Sequence, residues 1–115
     1  YYNSDHYVHH LIKEVRHIGI VVTNMENSLK FYRDQLGLKI IKDMDEQGNY
    51  LDNMLSLNDV RVRTVKLSAN ENTTLVELLE FESHNDNKIR NFYTIGTSHV
   101  AFTVDDIEKL YVDLY

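Results

Sequence analysis

Two stretches of this chain are versions of one segment, and that constrains its fold more than any local propensity does. At an offset of 82, His17 aligns with His99, Ile18 with Val100, Gly19 with Ala101, Ile20 with Phe102, Val22 with Val104, Met25 with Ile107 and Glu26 with Glu108. Asn24 falls against Asp106, so a helix-capping residue recurs in kind. An internal repeat means that one supersecondary unit is used twice.

The first copy shows what the unit is. Val15–Val22 is β-branched and apolar and is bounded by Thr23 and Asn24, which predicts a strand. Met25, Leu29, Tyr32 and Leu36 then recur at helical spacing, with Asn24 as N-cap, Glu26 in the first turn and Gly37 just past the end. A short strand is expected at Leu38–Ile41, then a polar connection through Gly48 and Asn49, then one or two helical turns in "YLDNMLSL". Val60–Leu67 and Thr74–Phe81 read as two strands joined by the turn-rich "SANENTT". After the polar "ESHNDNK", a second strand and helix are expected at Thr97–Val104 and Asp105–Tyr115. The predicted class is α+β, with a βαβββ module over about 15–82 and the start of a second over about 96–115. Residues 1–14 form an N-terminal extension.

Composition narrows the function. With 115 residues and 43% hydrophobic content, the chain supports one domain with a core and is too short for two independent ones. The absence of cysteine removes disulfides, thiolate zinc sites and a thiol nucleophile together. It also points mildly to a cytoplasmic protein. A formal charge of -6 argues against a nucleic-acid partner. No apolar run approaches the roughly 20 residues that cross a bilayer, so no membrane association is expected. His6, His9 and His10 could form a metal-binding tract, although a polar terminal segment more often frays.

Side chains alternate across a strand, so His17 shares a face with Gly19 and Val21, while Ile18, Ile20 and Val22 face the helix. By the repeat, His99 takes the equivalent place. Glu77 is embedded among Leu75, Val76, Leu78 and Leu79, where an unpaired carboxylate would cost several kcal/mol. A cation would offset that cost. Glu80 competes with it but lies nearer the strand end and on the opposite face. His17, Glu77 and His99 make a two-histidine, one-carboxylate set suited to a divalent ion such as Zn, Ni, Co, Mn or Fe(II). Taken singly, the histidines also read as strand-entry hydrogen-bonders, and Glu77 as the ion-pair partner of Arg61, Arg63 or Lys66.

At these residues a family resemblance emerges. "VRHIGIVVTNMENSLKFYRDQLGLKI", "TLVELLEF" and "GTSHVAFTVDDIEKL" resemble the vicinal oxygen chelate superfamily of glyoxalase I, methylmalonyl-CoA epimerase, extradiol dioxygenases and the fosfomycin and bleomycin resistance proteins. The resemblance covers nearly everything from Val15 onward. It implies paired βαβββ modules that enclose a cleft, where a divalent metal binds neighbouring oxygens of a small substrate. The first-strand histidine of glyoxalase I and the epimerase falls on His17, the first-module carboxylate on Glu77 and the second-module histidine on His99. A fourth ligand would fall near position 159, so the second module lacks its closing strands within 115 residues. A longer parent chain, a partner subunit that supplies the strands, and a degenerate member each account for that. A homodimer is the expected assembly.

The resemblance tilts the expected activity toward a lyase or isomerase, with Glu77 both ligand and base. Arg61 and Arg63 are candidate anchors for an anionic substrate group, or else charges that keep an edge strand soluble. A sequestering protein of the bleomycin-resistance kind and an Fe(II) extradiol dioxygenase are the alternatives.

Overall fold

A computed structural model describes residues 11–86, 88 and 90–115. His6, His9 and His10 lie outside the described residues. Two compact units are present, one running to His84 and the other spanning Asn85–Tyr115.

In the first unit, β1 (His17–Val21) leads into helix α1 (Met25–Leu29), which continues as one π-helical stretch over Lys30–Gln35. The predicted cap is in place: Asn24 is extended, and its Oδ1 accepts from the Asn27 N–H at 3.0 Å. The π winding was not legible in the spacing. It shows in the Leu36 N–H donating five residues back to the Phe31 carbonyl. Gly37 then turns the chain out at φ +79°, a conformation that glycine adopts without strain.

β2 (Lys39–Gln47), α2 (Asn49–Leu55), β3 (Arg61–Ser68) and β4 (Leu75–Phe81) complete the unit. The sheet order is β1-β4-β3-β2, with β1 parallel to β4 and the other pairs antiparallel. This is the βαβββ arrangement the sequence predicted. β2 runs well past the predicted end at Ile41, through "KDMDEQ". It is an edge strand held by its ladder to β3 and by polar pairs, so its sequence carries no apolar alternation.

The core lies between α1 and one face of the sheet. Met25, Leu29, Leu38, Val65, Leu67, Val76 and Leu78 form a single buried cluster, flanked by Ile20, Val22 and Tyr32. Burying a side chain such as Leu78 contributes roughly 1.5–3 kcal/mol. Ile20 and Val22 meet the helix as alternation requires, while Ile18 keeps 37% of its surface exposed.

In the second unit, the strand expected at Thr97–Val104 is not formed, and those residues have no ladder partner among the described residues. The reason lies in the repeat. β1 is a strand because Leu75–Leu79 pairs with it, and Thr97–Val104 has no such ladder among the described residues. The helix needs no such partner and does form, as α3 (Ile107–Leu114). Asp106 caps it, accepting from the Lys109 N–H at 3.0 Å, in the geometry Asn24 uses for α1. No helix among the described residues is long and apolar enough to cross a membrane.

Candidate metal centre

β4 alternates cleanly. Val76 and Leu78 point into the core, which sends Glu77 to the face away from α1. The parallel ladder puts Gly19 directly across from Glu77 and His17 across from Leu75, so His17 is one diagonal step away on the same face. His17 Nε2 and Glu77 Oε1 stand 3.5 Å apart, with side chains 37% and 13% exposed. That gap exceeds the usual range of an N–H···O bond, which ends at about 3.2 Å. Two donors each about 2.1 Å from one tetrahedral ion stand about 3.4 Å apart. The pair lies within ion-pair range, and the same spacing and donor chemistry fit two ligands of a single metal.

The surroundings of Glu77 support an open carboxylate. A Cβ on Gly19 would stand 3.9 Å from Oε1 and 3.3 Å from the Leu79 Cδ1 methyl, so the missing side chain keeps the space beside Oε1 clear. A glycine inside a strand signals such a close approach, and the sequence offered that cue in "HIGIV". On the other side, Lys66 Nζ lies 3.9 Å from Oε2. Lys66 is opposite Glu77 in the β3–β4 register. Of the three basic residues considered as partners for Glu77, it is the one on this face.

Arg61 and Arg63 share a face, as alternation requires, but it is the helix-facing side of β3 and not the side that carries His17 and Glu77. Arg63 donates to both carboxylate oxygens of Asp43 at 3.0 and 2.8 Å and to Glu26 of α1 at 2.8 Å. These bonds hold its guanidinium pKa well above the ordinary value and the Asp43 carboxyl below it. Arg61 lies 3.9 Å from Glu82. Glu80 pairs in register with Arg63, on the side opposite Glu77.

His99 belongs to the second unit and is exposed in the irregular stretch ahead of α3. Within the first unit His17 and Glu77 stand together, and among the described residues no group of three or more His, Asp or Glu side chains that could hold a metal ion is present.

Residues 14–115 match the family described as the Glyoxalase/Bleomycin resistance protein/Dioxygenase superfamily. The uncharacterized protein YwkD of Bacillus subtilis (strain 168) is 32% identical over 108 residues, covering 91% of this chain and 72% of its own length. A glyoxalase family protein of Bacillus cereus superposes with a TM-score of 0.71 at 20% identity, over 93% of this chain and 74% of that one. The trypanothione-dependent glyoxalase I of Leishmania major superposes with a TM-score of 0.64 at 23% identity, over 90% and 65%. At such identities the two structures speak for the fold alone. The matched span and the YwkD relationship go further, and with a βαβββ sheet carrying a histidine and a glutamate on its open face they make this chain a member of the glyoxalase, bleomycin resistance protein and dioxygenase superfamily.

Proposed function

We propose that His17 and Glu77 are two ligands of a divalent metal, with His99 the third, in an enzyme of lyase or isomerase type acting on a small molecule with neighbouring oxygens. The observation that carries this reading is the 3.5 Å separation of His17 Nε2 and Glu77 Oε1 on the open face of the sheet. Superfamily membership supports it, since glyoxalase I is among the proteins of like fold. When bound, the metal would supply Lewis-acid polarisation of a substrate carbonyl. The chain's own part is to hold and move a proton. Glu77 is mostly buried, with Oε1 toward His17 and Oε2 toward Lys66, and in this reading it would be the group that takes a proton from the substrate carbon next to the polarised carbonyl. Gly19 leaves room for the substrate beside it.

A second reading, ligand sequestration without turnover, is favoured by one observation. Lys66 already supplies a counter-charge to Glu77, which a metal-free cleft would need.

Elemental analysis separates the two. The protein is purified without chelators, loaded with Ni, Zn, Mn or Fe(II) and desalted, beside a His17→Ala, Glu77→Ala double variant. The wild type is expected to retain close to one equivalent and the variant little. Equal retention would sink the metal site.

A further inference from the structure

Cross-strand register puts three lysines that are scattered in sequence at one corner of the same sheet face. Lys66 is opposite Glu77 in the β3–β4 ladder. Lys42 is opposite Lys66 in the β2–β3 ladder, and Lys39 is opposite Ser68 just before the bulge that separates Ile40 from Lys42. Their partners Ser68, Lys66 and Glu77 lie on the side that carries His17, and the bulge, which breaks the alternation of β2, lets both Lys39 and Lys42 share it. Gly19, Glu77, Lys66 and Lys42 thus form one row across the four strands, and the row carries two cations and one carboxylate.

Like charges directly opposite on antiparallel strands destabilise a sheet, so an anion between or above Lys42 and Lys66 would be favoured. Among the described residues, Glu77 is the one acidic residue in ion-pair range of Lys66, and Lys39 and Lys42 have none. Glu46, on the same face toward the far end of β2, accepts from the Thr64 hydroxyl at 3.2 Å and forms no ion pair with the three lysines, so three lysines face two carboxylates there. Once Glu77 gives its charge to a metal, the corner is left with a positive excess on a chain whose formal charge is -6. A local field of this sign selects for an anion.

We infer that Lys66 and Lys42, supported by Lys39, form an anion subsite beside the metal centre, and that the substrate is a small carboxylic acid. Its carboxylate lies toward the lysines while its neighbouring oxygens face His17 and Glu77. This inference rests on the proposed metal site. It names the substrate class that the site's own charges would recognise.

The test is titration calorimetry of oxalate into the Ni(II)-loaded full chain, with metal content measured on the same samples. Lys66→Met and Lys42→Met are each expected to weaken oxalate by about tenfold at unchanged nickel content, the equivalent of one charge-assisted contact. Lys66→Arg, which keeps the charge, should stay within about threefold, as should the control Lys30→Met on the π-helical stretch. Nickel retained with oxalate affinity unchanged in both methionine variants would overturn the anion subsite and leave the metal reading standing. Failure of the wild type to hold nickel would overturn both.

Discussion

Gly19 sits directly across from Glu77 in the parallel ladder between β1 and β4, and its missing side chain is the clearance beside Oε1. A Cβ alone meets only ordinary contact with the carboxylate and a tight one with a flexible leucine methyl. Gly19→Ala should therefore fold and load metal like the wild type. In Gly19→Leu the added atoms reach past Cβ into the space that a ligand shared by His17 and Glu77 would occupy. We expect about a tenfold loss of retained metal, with circular dichroism and melting temperature near those of Gly19→Ala. Elemental analysis of the three proteins checks this. A leucine variant that holds as much metal as wild type would place the site elsewhere.

The parts of this architecture that were legible in the sequence are those with a local cause. The Asn24 and Asp106 caps, the buried Met25 and Leu29 and the opposed faces of Val76 and Glu77 follow from helical and strand periodicity. The length of β2 was not legible, because an edge strand stabilised by Asp43–Arg63 and Glu46–Thr64 has no apolar rhythm to read. Nor was the role of Arg63. Its side of β3 was clear only once α1 brought Glu26 to it. The expected strand at Thr97–Val104 shows the converse, since propensity alone does not make a strand without a ladder.

Arg63 ties β3 to β2 and to α1 through Asp43 and Glu26, and this clamp should give the protein a specific acid sensitivity. The hydrogen bonds from Arg63 hold the Asp43 carboxyl below its ordinary value. A carboxyl depressed in the folded state contributes stability above its unfolded pKa, and loses it as pH falls through the folded value. The wild-type urea midpoint should fall between about pH 4 and about pH 2.5 by more than that of Asp43→Asn, whose amide does not titrate there. Both residues are partly solvated, so the effect is modest. At neutral pH Arg63→Met should cost about 1 kcal/mol. Parallel midpoint curves for wild type and Asp43→Asn would show that the pair has no linked role.

Asn24 carries the entry to the only helix that covers the core face of the first unit among the described residues. Its Oδ1 satisfies the Asn27 N–H, one of the four donors a helix start leaves without a partner. Asn24→Ala should destabilise the protein by about 1 kcal/mol, and Asn24→Asp or Asn24→Ser should restore most of that loss. Urea unfolding followed by circular dichroism measures it. An alanine variant as stable as wild type would mean that α1 starts without help from this side chain.

The placement of the candidate site on one face of β4 rests on the alternation of Leu78 and Leu79, and stability can test it without any ligand. Leu78 is fully buried against α1, whereas Leu79 is only partly buried and lies on the side of Glu77. Leu78→Ala should cost about 2–5 kcal/mol, since it removes packing and leaves a cavity that close-packed neighbours fill poorly. That is a large share of the roughly 5–15 kcal/mol that stabilises a domain. Leu79→Ala opens toward solvent and should cost well under half as much, while the ladder that positions Glu77 stays intact. Equal losses in the two variants would mean that both faces of β4 are core, and Glu77 would then have no open side from which to reach a metal.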